Sequence, residues 1–543
     1  MSRRLSVVSS ALALGSILTA AFVPPASAQF YDVARSSIGF ALDAIERSPR
    51  LLGMGGMSYV GDDPQTRITL WDFAASPLGI RDADSVSTLR IYPGTSSYSD
   101  LRDLDAETGT IERQDLAGRE SRVGYEMWRR GTRRFAYGFT GNLGYLKVDQ
   151  IAGEMTERRR TLTQPTAMPV LMGAVPFVKS ERWSYAARLF YSGERSEDQY
   201  QALVQTSHGQ YIDQTGTQLP PPELFTPTDY NVRSLGGGLG LGYDRGRAFK
   251  AALTVDQVQN TISGANEGKR HVSRTDEKRP YRRGQIAMVG RVGPALEWGV
   301  DGRNWSSSSE EHWYFTISAG GGVEPLMGRG KLLERDEHGR ALRARVRWTR
   351  GPVELGGGVV TDYRKIDITP PLAEDLTSLN HFLNTITYRL GADSLVLPDS
   401  VSRWESEQRS WDAGGGLAVR VPGNRGLWGV EYRRHRSMTE QTTSGQGPLR
   451  RGWDLRTGLD YQCTPVMAGR VGYAYRWDDL DVLTEQNEYL GHVLTLGLGI
   501  RPAGASWILD MGYAVEWQRA DFGGPMATKS CRQQLASMLR WAF

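Results

Sequence analysis

Three arginines spaced two residues apart are the side chains in this sequence best suited to binding an anion. Arg343, Arg345 and Arg347 alternate with apolar residues, namely Leu342, Ala344, Val346 and Trp348. A guanidinium group can donate two parallel hydrogen bonds to a carboxylate, so the row predicts a site for the acidic group of a ligand. The alternative is a structural role, in which these arginines form cross-strand ion pairs with acidic residues on the same face.

A second candidate site is an apolar helix predicted between residues 365 and 409. Its apolar positions recur at spacings of four and three, which is typical of an amphipathic helix; they are Leu372, Leu376, Leu379, Leu383 and Ile386. On an external loop this face either covers neighbouring loops or forms an apolar capture groove. In the second case Leu376, Leu379 and Leu383 contact the ligand.

Motifs for enzymatic or cofactor chemistry are missing. The sequence contains no G-x-S-x-G, no H-E-x-x-H and no G-K-[ST], so we expect no catalytic residues, no cofactor and no resident metal. Two arrangements could suggest an enzyme at the rim of a barrel: His435 with Ser437, and His312 with Glu310 and Glu311. A solvated role for these side chains is the simpler interpretation.

An acidic cluster near residue 480 has two interpretations. Asp478, Asp479 and Asp481 either form a solvated charged surface or hold divalent cations that bridge lipopolysaccharide.

The elements that position these residues are predicted strands. From residue 120 onward, segments of about ten residues alternate apolar and polar side chains, as Gly452–Gln462 does. That length crosses a tilted bilayer, and aromatic residues lie at the ends of the apolar faces. The pattern predicts an all-β protein, a transmembrane antiparallel β-barrel. Arg343, Arg345 and Arg347 must then face the lumen, because an arginine facing lipid at mid-depth costs ~2–4 kcal/mol.

Counting the segments gives about 18 strands if Trp313–Val323 belongs to a long external loop, Ser306–Arg340. Short turns alternate with long polar connections, which places the short turns and both termini in the periplasm. The long connections are predicted at Ser192–Tyr230, Asn260–Tyr281, Lys365–Arg409 and His435–Arg451. The last strand, Gln533–Phe543, ends in an aromatic residue that predicts recognition by the barrel-assembly machinery.

Two cysteines test this topology. Cys463 falls in a predicted periplasmic turn and Cys531 near the external rim. The rims are ~25 Å apart, whereas the Cα atoms of a disulfide lie within ~7 Å of each other. We therefore expect two thiols that are not joined to each other.

The N-terminus has the pattern of a secretory signal peptide. Arg3 and Arg4 precede an apolar stretch that ends at the small-residue site Ala26–Ala28, which predicts cleavage after residue 28. Removal of residues 1–28 lowers the formal net charge from +4 to +2. A charge so near zero gives no support to nucleic-acid binding. The expected location is the outer membrane of a Gram-negative cell.

The segment between the signal peptide and the first strand does not alternate. Asp32 can cap a helix that continues to Ser48 and ends at Pro49. A glycine-rich stretch and an acidic pair follow it; their residues are Gly53, Gly55, Gly56, Asp62 and Asp63, with Gly79 further on. The simplest interpretation of the glycines is tight packing against a barrel wall.

This stretch resembles the start of the FadL/TodX family of outer-membrane transporters for fatty acids and hydrocarbons, and of the related PorV-type barrels. The match covers about forty residues, and the family's Asn-Pro-Ala turn is absent here. The resemblance implies a hatch motif of Gly53, Gly55, Gly56, Asp62 and Asp63. It also implies a hatch segment at 29–80 that plugs a barrel formed by 81–543, and it favours 14 strands over 18.

The expected function is therefore an outer-membrane channel for hydrophobic or amphipathic small molecules. A PorV-like interaction or secretion scaffold is the alternative, and a rim enzyme is a third. The expected partners are membrane lipid, lipopolysaccharide and a small hydrophobic ligand, but no nucleic acid.

Overall fold

The computed structural model describes residues 49–60, 86–104, 111–132, 135–152, 159–168, 182–200, 204–205, 211–212, 226–246, 248–267, 271–317, 326–369, 404–441, 445–482, 485–521 and 527–542. Nearly all of them lie in strands, preceded by one short helix, α1 (Pro49–Gly53). Within these ranges, no helix is long and apolar enough to cross a membrane. The helix predicted from Asp32 to Ser48, the acidic pair Asp62 and Asp63, and Phe543 lie outside the described residues.

The strands follow one another along the chain as a series of hairpins. In chain order they are β1 (Val86–Leu104), β2 (Ile111–Thr132), β3 (Phe135–Ala152), β4 (Arg159–Met168), β5 (Trp183–Tyr200), β6 (Val204–Gln205), β7 (Tyr211–Ile212), β8 (Thr226–Asp244), β9 (Phe249–Glu267) and β10 (His271–Val292). They continue as β11 (Leu296–Ile317), β12 (Leu326–Arg350), β13 (Val353–Thr369), β14 (Trp404–Val421), β15 (Gly426–Gln441), β16 (Gly445–Gln462), β17 (Met467–Val482), β18 (Glu485–Ile500), β19 (Trp507–Asp521) and β20 (Ala527–Ala542).

The strands close into a ring. Each pairs antiparallel with the next, except that β5 pairs with β8 because β6 and β7 form a separate two-stranded hairpin. Val86 on β1 is opposite Trp128 on β2 and also opposite Ala542 on β20, which closes the sheet. The ring contains 18 strands. A closed antiparallel ring satisfies the backbone hydrogen bonds of every strand, as a hydrocarbon environment requires.

The two faces of the ring differ in polarity as the sequence predicted. On β12, Leu342 and Val346 point outward and remain 46% and 45% exposed, whereas Arg345 and Arg347 point inward to polar partners. Large apolar side chains are outward and exposed on other strands too, including Leu239, Leu253, Leu417, Leu455 and Leu496. The protein is therefore an all-β transmembrane barrel with an apolar exterior and a polar lumen.

Short turns connect the strands at one end of the barrel, which we call the short-turn end. Five turn residues there have positive φ angles that favour glycine: Gly246, Gly293, Gly351, Gly423 and Gly504. The sequence predicts short turns at 244–247, 292–294, 350–352, 421–425 and 502–504, and the structure confirms them. The pair Val86 and Ala542 lies at the same end. We call the opposite end, where β13 ends and β14 begins, the loop end.

Several connections predicted as long loops are instead paired strands. β9 and β10 continue to Glu267 and from His271, and Trp313 on β11 pairs with Gly330 on β12, inside the predicted loop 306–340. The loop predicted at 435–451 is also mostly strand. The physical reason is that both faces of a hairpin contact water once it leaves the membrane. Polar residues then occupy both faces, and the alternation disappears while the backbone pairing continues.

The two cysteines are not bonded to each other, as predicted. Cys463 lies in the short turn after β16. Cys531 lies on β20 opposite Trp517, ten residues along the strand from Trp541 near the short-turn end.

Candidate functional site: a chain segment seated on the lumen wall

Residues 49–60 lie inside the barrel and are almost completely buried. Met54 and Met57 are 0% exposed and Val60 is 1% exposed. Met54, Met57 and Val60 form an apolar cluster with Ala418 of β14. We call residues 49–60 the lumen segment; it is the described part of the predicted hatch.

A row of glycines on the lumen wall makes room for this segment. Gly429, Gly458 and Gly472 are register neighbours on β15, β16 and β17. A Cβ atom added to Gly458 would lie 2.8 Å from the Cα atom of Met54, and one added to Gly429 would lie 3.0 Å from the Met57 sulfur. Further members of the row, which we call the glycine row, are Gly356, Gly358, Gly414, Gly497 and Gly512.

The predicted hatch glycines face this wall. A Cβ atom on Gly53 would lie 2.9 Å from the Cα atom of Gly497, so these two backbones pack directly against each other. Gly55 and Gly56 have φ angles of 78° and 71°, a conformation that side chains disfavour. Gly53 and Gly55 therefore pack tightly against the barrel wall, as the simplest interpretation expected, while Gly79 lies outside the described residues.

A single carboxylate holds the C-terminal part of the lumen segment. Glu431 on β15 is 1% exposed, and its oxygens accept hydrogen bonds from three consecutive backbone N–H groups. Ser58 and Val60 donate at 2.7 Å and Tyr59 at 2.5 Å. Charge-assisted bonds of this kind are about twice as strong as neutral ones. Glu431 therefore fixes the lumen segment mainly through its backbone, with one longer hydrogen bond from the Ser58 hydroxyl at 3.5 Å.

Two arginines bind the carbonyl groups of the same stretch. Arg456 on β16 donates to the Gly56 carbonyl at 2.5 Å and forms two hydrogen bonds to Asp454, at 2.8 and 3.0 Å. Arg345 on β12 donates to the Tyr59 carbonyl at 2.6 Å. Wall charges thus satisfy both the donors and the acceptors of a buried backbone that forms no sheet of its own.

The Tyr59 side chain crosses to the neighbouring strands. Its ring lies against Gly358 and Gly414, and its hydroxyl donates to Asp412 at 3.2 Å. Asp412 also pairs with Arg433. Burial, followed by the charge of Asp412, raises the pKa of the Tyr59 hydroxyl far above its ordinary value.

The N-terminal part of the lumen segment is held by β16 and β18. Arg50 pairs with Asp460 at 2.7 Å. The Thr495 hydroxyl accepts from the Gly55 N–H at 2.9 Å and donates to the Gly53 carbonyl at 3.1 Å.

The predicted anion site is divided between structural contacts. Arg345 binds the lumen segment, and Arg347 pairs with Glu297 of β11. Arg343 is half-buried on the lumen face opposite Asp301 in register. Arg347 therefore forms the cross-strand ion pair of the structural alternative, whereas Arg345 binds the backbone of the lumen segment, a contact that neither interpretation included. The predicted ligand-binding residues Leu376, Leu379 and Leu383 lie outside the described residues.

Below the lumen segment, a cavity of about 680 Å³ opens toward the short-turn end. Its lining mixes cationic and apolar side chains, among them Arg50, Arg291, Arg347, Arg420, Arg425 and Leu427. Glu297, Glu354 and Asp460 supply fewer negative charges than the arginines supply positive ones. The cavity can accept a small amphipathic molecule whose polar end is anionic.

The acidic cluster predicted near residue 480 is a set of ion pairs. Asp478 contacts His435 and lies 2.9 Å from Arg450, while Asp479 pairs with Arg451 at 2.6 Å. Within the described ranges, no group of three or more His, Cys, Asp or Glu side chains is arranged to hold a metal ion. The cation-bridging alternative for this cluster has no support, because arginines already neutralise Asp478 and Asp479.

We call the wall residues that contact the lumen segment, chiefly Glu431, Arg456 and the glycine row, the seat. The sequence analysis does not single out Glu431 or Arg456. Their partners lie about 370 and 400 positions away in the chain. The one available signal was the recurrence of glycine on the polar face of successive strands, as at Gly458, Gly497 and Gly512.

Comparisons with known proteins give a likeness at the level of solved structures. No protein-family model and no curated protein matches the chain. A Pseudomonas aeruginosa FadL homologue matches at 12% identity and a TM-score of 0.33, covering 92% of this chain and 98% of that one. The Pseudomonas putida toluene transporter TodX matches at 10% identity and a TM-score of 0.35, covering 91% of this chain and 98% of that one. The ferric citrate transporter FecA matches at 10% identity and a TM-score of 0.39, covering 82% of this chain and 78% of that one. The first two are of the type that the sequence resembles; similarity at this level assigns neither family nor ligand.

Proposed function

We propose that this chain is an outer-membrane channel, closed by its lumen segment, that takes up hydrophobic or amphipathic small molecules. The observation that carries the proposal is the construction of the seat. The inner wall of β13–β19 lacks side chains where the lumen segment packs, and wall charges bind the segment through its backbone. A barrel of about 16–18 strands is too wide for its own side chains to fill, so in this 18-stranded ring the lumen segment occupies space that the wall leaves open.

The exterior supports the membrane location. Leu239, Leu253 and Leu496 face outward with 70%, 48% and 52% of their surface exposed. Exposed leucines on successive strands would cause aggregation in water but suit acyl chains. A barrel of this kind with short turns at one end belongs in an outer membrane with that end toward the periplasm.

The ligand class follows from the cavity below the lumen segment. Its arginines suit an anionic group, and Leu427, Pro294 and Ala295 provide apolar surface. A fatty acid or a related amphipathic anion fits this combination. The proposed role is transport rather than catalysis, in agreement with what the family resemblance implies.

Uptake into liposomes tests the proposal with the complete mature chain. A labelled fatty acid should enter vesicles that contain the wild-type protein, while a sugar of similar size should not. Glu431→Ala leaves three buried N–H groups without their acceptor, so it should release the lumen segment and increase uptake. The matched control is Glu516→Ala, because Glu516 pairs with Arg476 at 3.0 Å, a contact within the wall.

Deletion of residues 29–79 should increase uptake further. Uptake that is absent from wild type, Glu431→Ala and the deletion alike would contradict transport. That outcome would favour the scaffold alternative, which co-purification of a secretion complex would then support.

A further inference from the structure

The outer wall of the barrel has a groove near the loop end that the transport proposal does not use. Its volume is about 950 Å³. Its outward-facing lining comes from four adjacent strands and includes Thr361, Glu407, Met438 and six further residues: Arg340 and Leu342 of β12, Tyr363 of β13, Arg409 and Trp411 of β14, and Arg436 of β15. We call these six residues the outer groove.

The groove lies where the apolar band of the barrel ends. Arg340, Tyr363, Arg409 and Met438 form one row in register across the strands, and Leu342, Thr361, Trp411 and Arg436 form the row nearer the short-turn end. Further toward that end the outward side chains are apolar, as Val346, Leu355 and Leu417 are. The arginines therefore lie at the membrane depth of the lipid headgroups, next to the outer ends of the apolar band.

Much of the positive charge in the groove is not neutralised. Arg409 pairs with Glu407 at 2.9 Å. Arg340 instead lies over the Tyr363 ring, with its guanidinium carbon 5.1 Å from the ring centre. No carboxylate among the described residues forms an ion pair with Arg340, Arg436 or the neighbouring outward residue Arg434. By contrast, Arg451 on the next strand is paired with Asp479.

Guanidinium groups above an apolar surface are complementary to a phosphorylated lipid. Arginine binds phosphate oxygens with two parallel hydrogen bonds, and aromatic rings favour the interface between acyl chains and water. Four neighbouring strands span ~14 Å across the groove, which is wide enough for a headgroup with more than one phosphate. The outer leaflet of a Gram-negative outer membrane offers such a lipid in lipopolysaccharide, whose sugar disaccharide is phosphorylated at both ends.

We propose that the outer groove binds one lipopolysaccharide molecule through its phosphate groups, with Arg340 and Arg436 as the main contacts and Leu342 and Trp411 against its acyl chains. The proposal uses the outer-membrane location but not transport. A barrel that proved to be a scaffold would still carry this site.

The test measures binding of purified lipopolysaccharide to the mature chain in detergent, by native mass spectrometry and by titration. The variant Arg340→Ala/Arg436→Ala should bind roughly tenfold more weakly or worse, because two charge-assisted contacts are lost. The matched control is Arg233→Ala/Arg519→Ala, which removes two outward, exposed arginines of β8 and β19. It should bind within about twofold of wild type, since its charges lie away from the groove.

A second measurement needs no variant. Wild-type protein should bind lipopolysaccharide with its phosphates enzymatically removed roughly tenfold more weakly than the intact lipid. Equal binding of both forms, or equal loss in the control variant, would overturn the proposal. Equal binding of phosphatidylglycerol would overturn the assignment to lipopolysaccharide.

Discussion

The lumen wall of this barrel consists of two arcs that fill their space in different ways. Along β9–β11, polar side chains from adjacent strands bind one another: Asp256 pairs with Arg283 at 2.8 Å, and Gln285 donates to Asp301 at 2.5 Å. Along β13–β19 such ion pairs also occur, as between Asp412 and Arg433, but a row of glycines leaves a strip of wall without side chains, and a distant segment of chain packs there. The side chains of the first arc are satisfied once its strands pair with each other. The bare strip of the second arc is covered only when residues 49–60 pack against it.

This difference shows which part of the lumen can change without loss of the barrel. Opening of the first arc would break ion pairs between neighbouring strands. Release of the lumen segment breaks its contacts with the wall but leaves all 18 strands paired. In the channel that we propose, a movable element has to be held less strongly than the strands of the wall hold each other, and the two arcs differ in this way.

The largest expected effect comes from Glu431→Ala. It removes the acceptor for three buried N–H groups, and each unsatisfied group costs ~1–3 kcal/mol. Hydrogen exchange at Ser58, Tyr59 and Val60 should then accelerate by about a hundredfold or more, as measured by mass spectrometry.

Glu277→Ala provides the control from the other arc. Glu277 pairs with Arg279 at 2.7 Å and accepts from Ser309, so its loss affects neighbouring wall strands. Exchange at 58–60 should stay at the wild-type rate. Equal acceleration in both variants would show that the two arcs are not independent.

The next effect concerns the glycine row. Gly458→Ala would place a methyl group 2.8 Å from the Met54 Cα atom, so the lumen segment must shift. Overpacking of this kind costs ~1–3 kcal/mol. We expect a partly open channel, seen as increased single-channel conductance in planar bilayers.

Gly491→Ala is the matched control for that substitution. Gly491 also faces the lumen, but its added methyl group would meet Arg476 at an ordinary 3.6 Å. Its conductance should equal that of wild type. If Gly458→Ala also conducted like wild type, the glycine row would not be a requirement of the seat.

The sequence predicts the barrel well because lipid imposes one rule on every strand. An outward arginine is costly, so alternation places Leu342 outward and Arg345 inward without knowledge of any partner. The turns follow from glycine chemistry, as at Gly351. Outside the membrane this rule ends, which is why the paired extension of β11 past Trp313 was predicted as a loop.

The seat is less accessible to prediction because its contacts are non-local. Nothing near Glu431 indicates that it binds the backbone of residues 58–60, which lies more than 370 positions earlier. Glycines on the polar face of strands are ambiguous, since they also occur where no segment packs, as at Gly491. Only the structure shows which of them touch the lumen segment.

The smallest expected effect concerns Tyr59, whose hydroxyl bonds to Asp412 at 3.2 Å. Burial raises the pKa of this hydroxyl above its ordinary value of 10.0, so the seated segment favours the neutral phenol. The stabilisation is complete below pH ~10 and is lost as the pH rises above that value, because a released Tyr59 ionises more easily. Conductance should therefore increase between pH 9 and 11.

Tyr59→Phe should weaken the seat by ~1 kcal/mol at neutral pH and abolish this part of the alkaline increase. An alkaline increase of the same size in Tyr59→Phe would assign the effect to groups of the wall and not to the lumen segment.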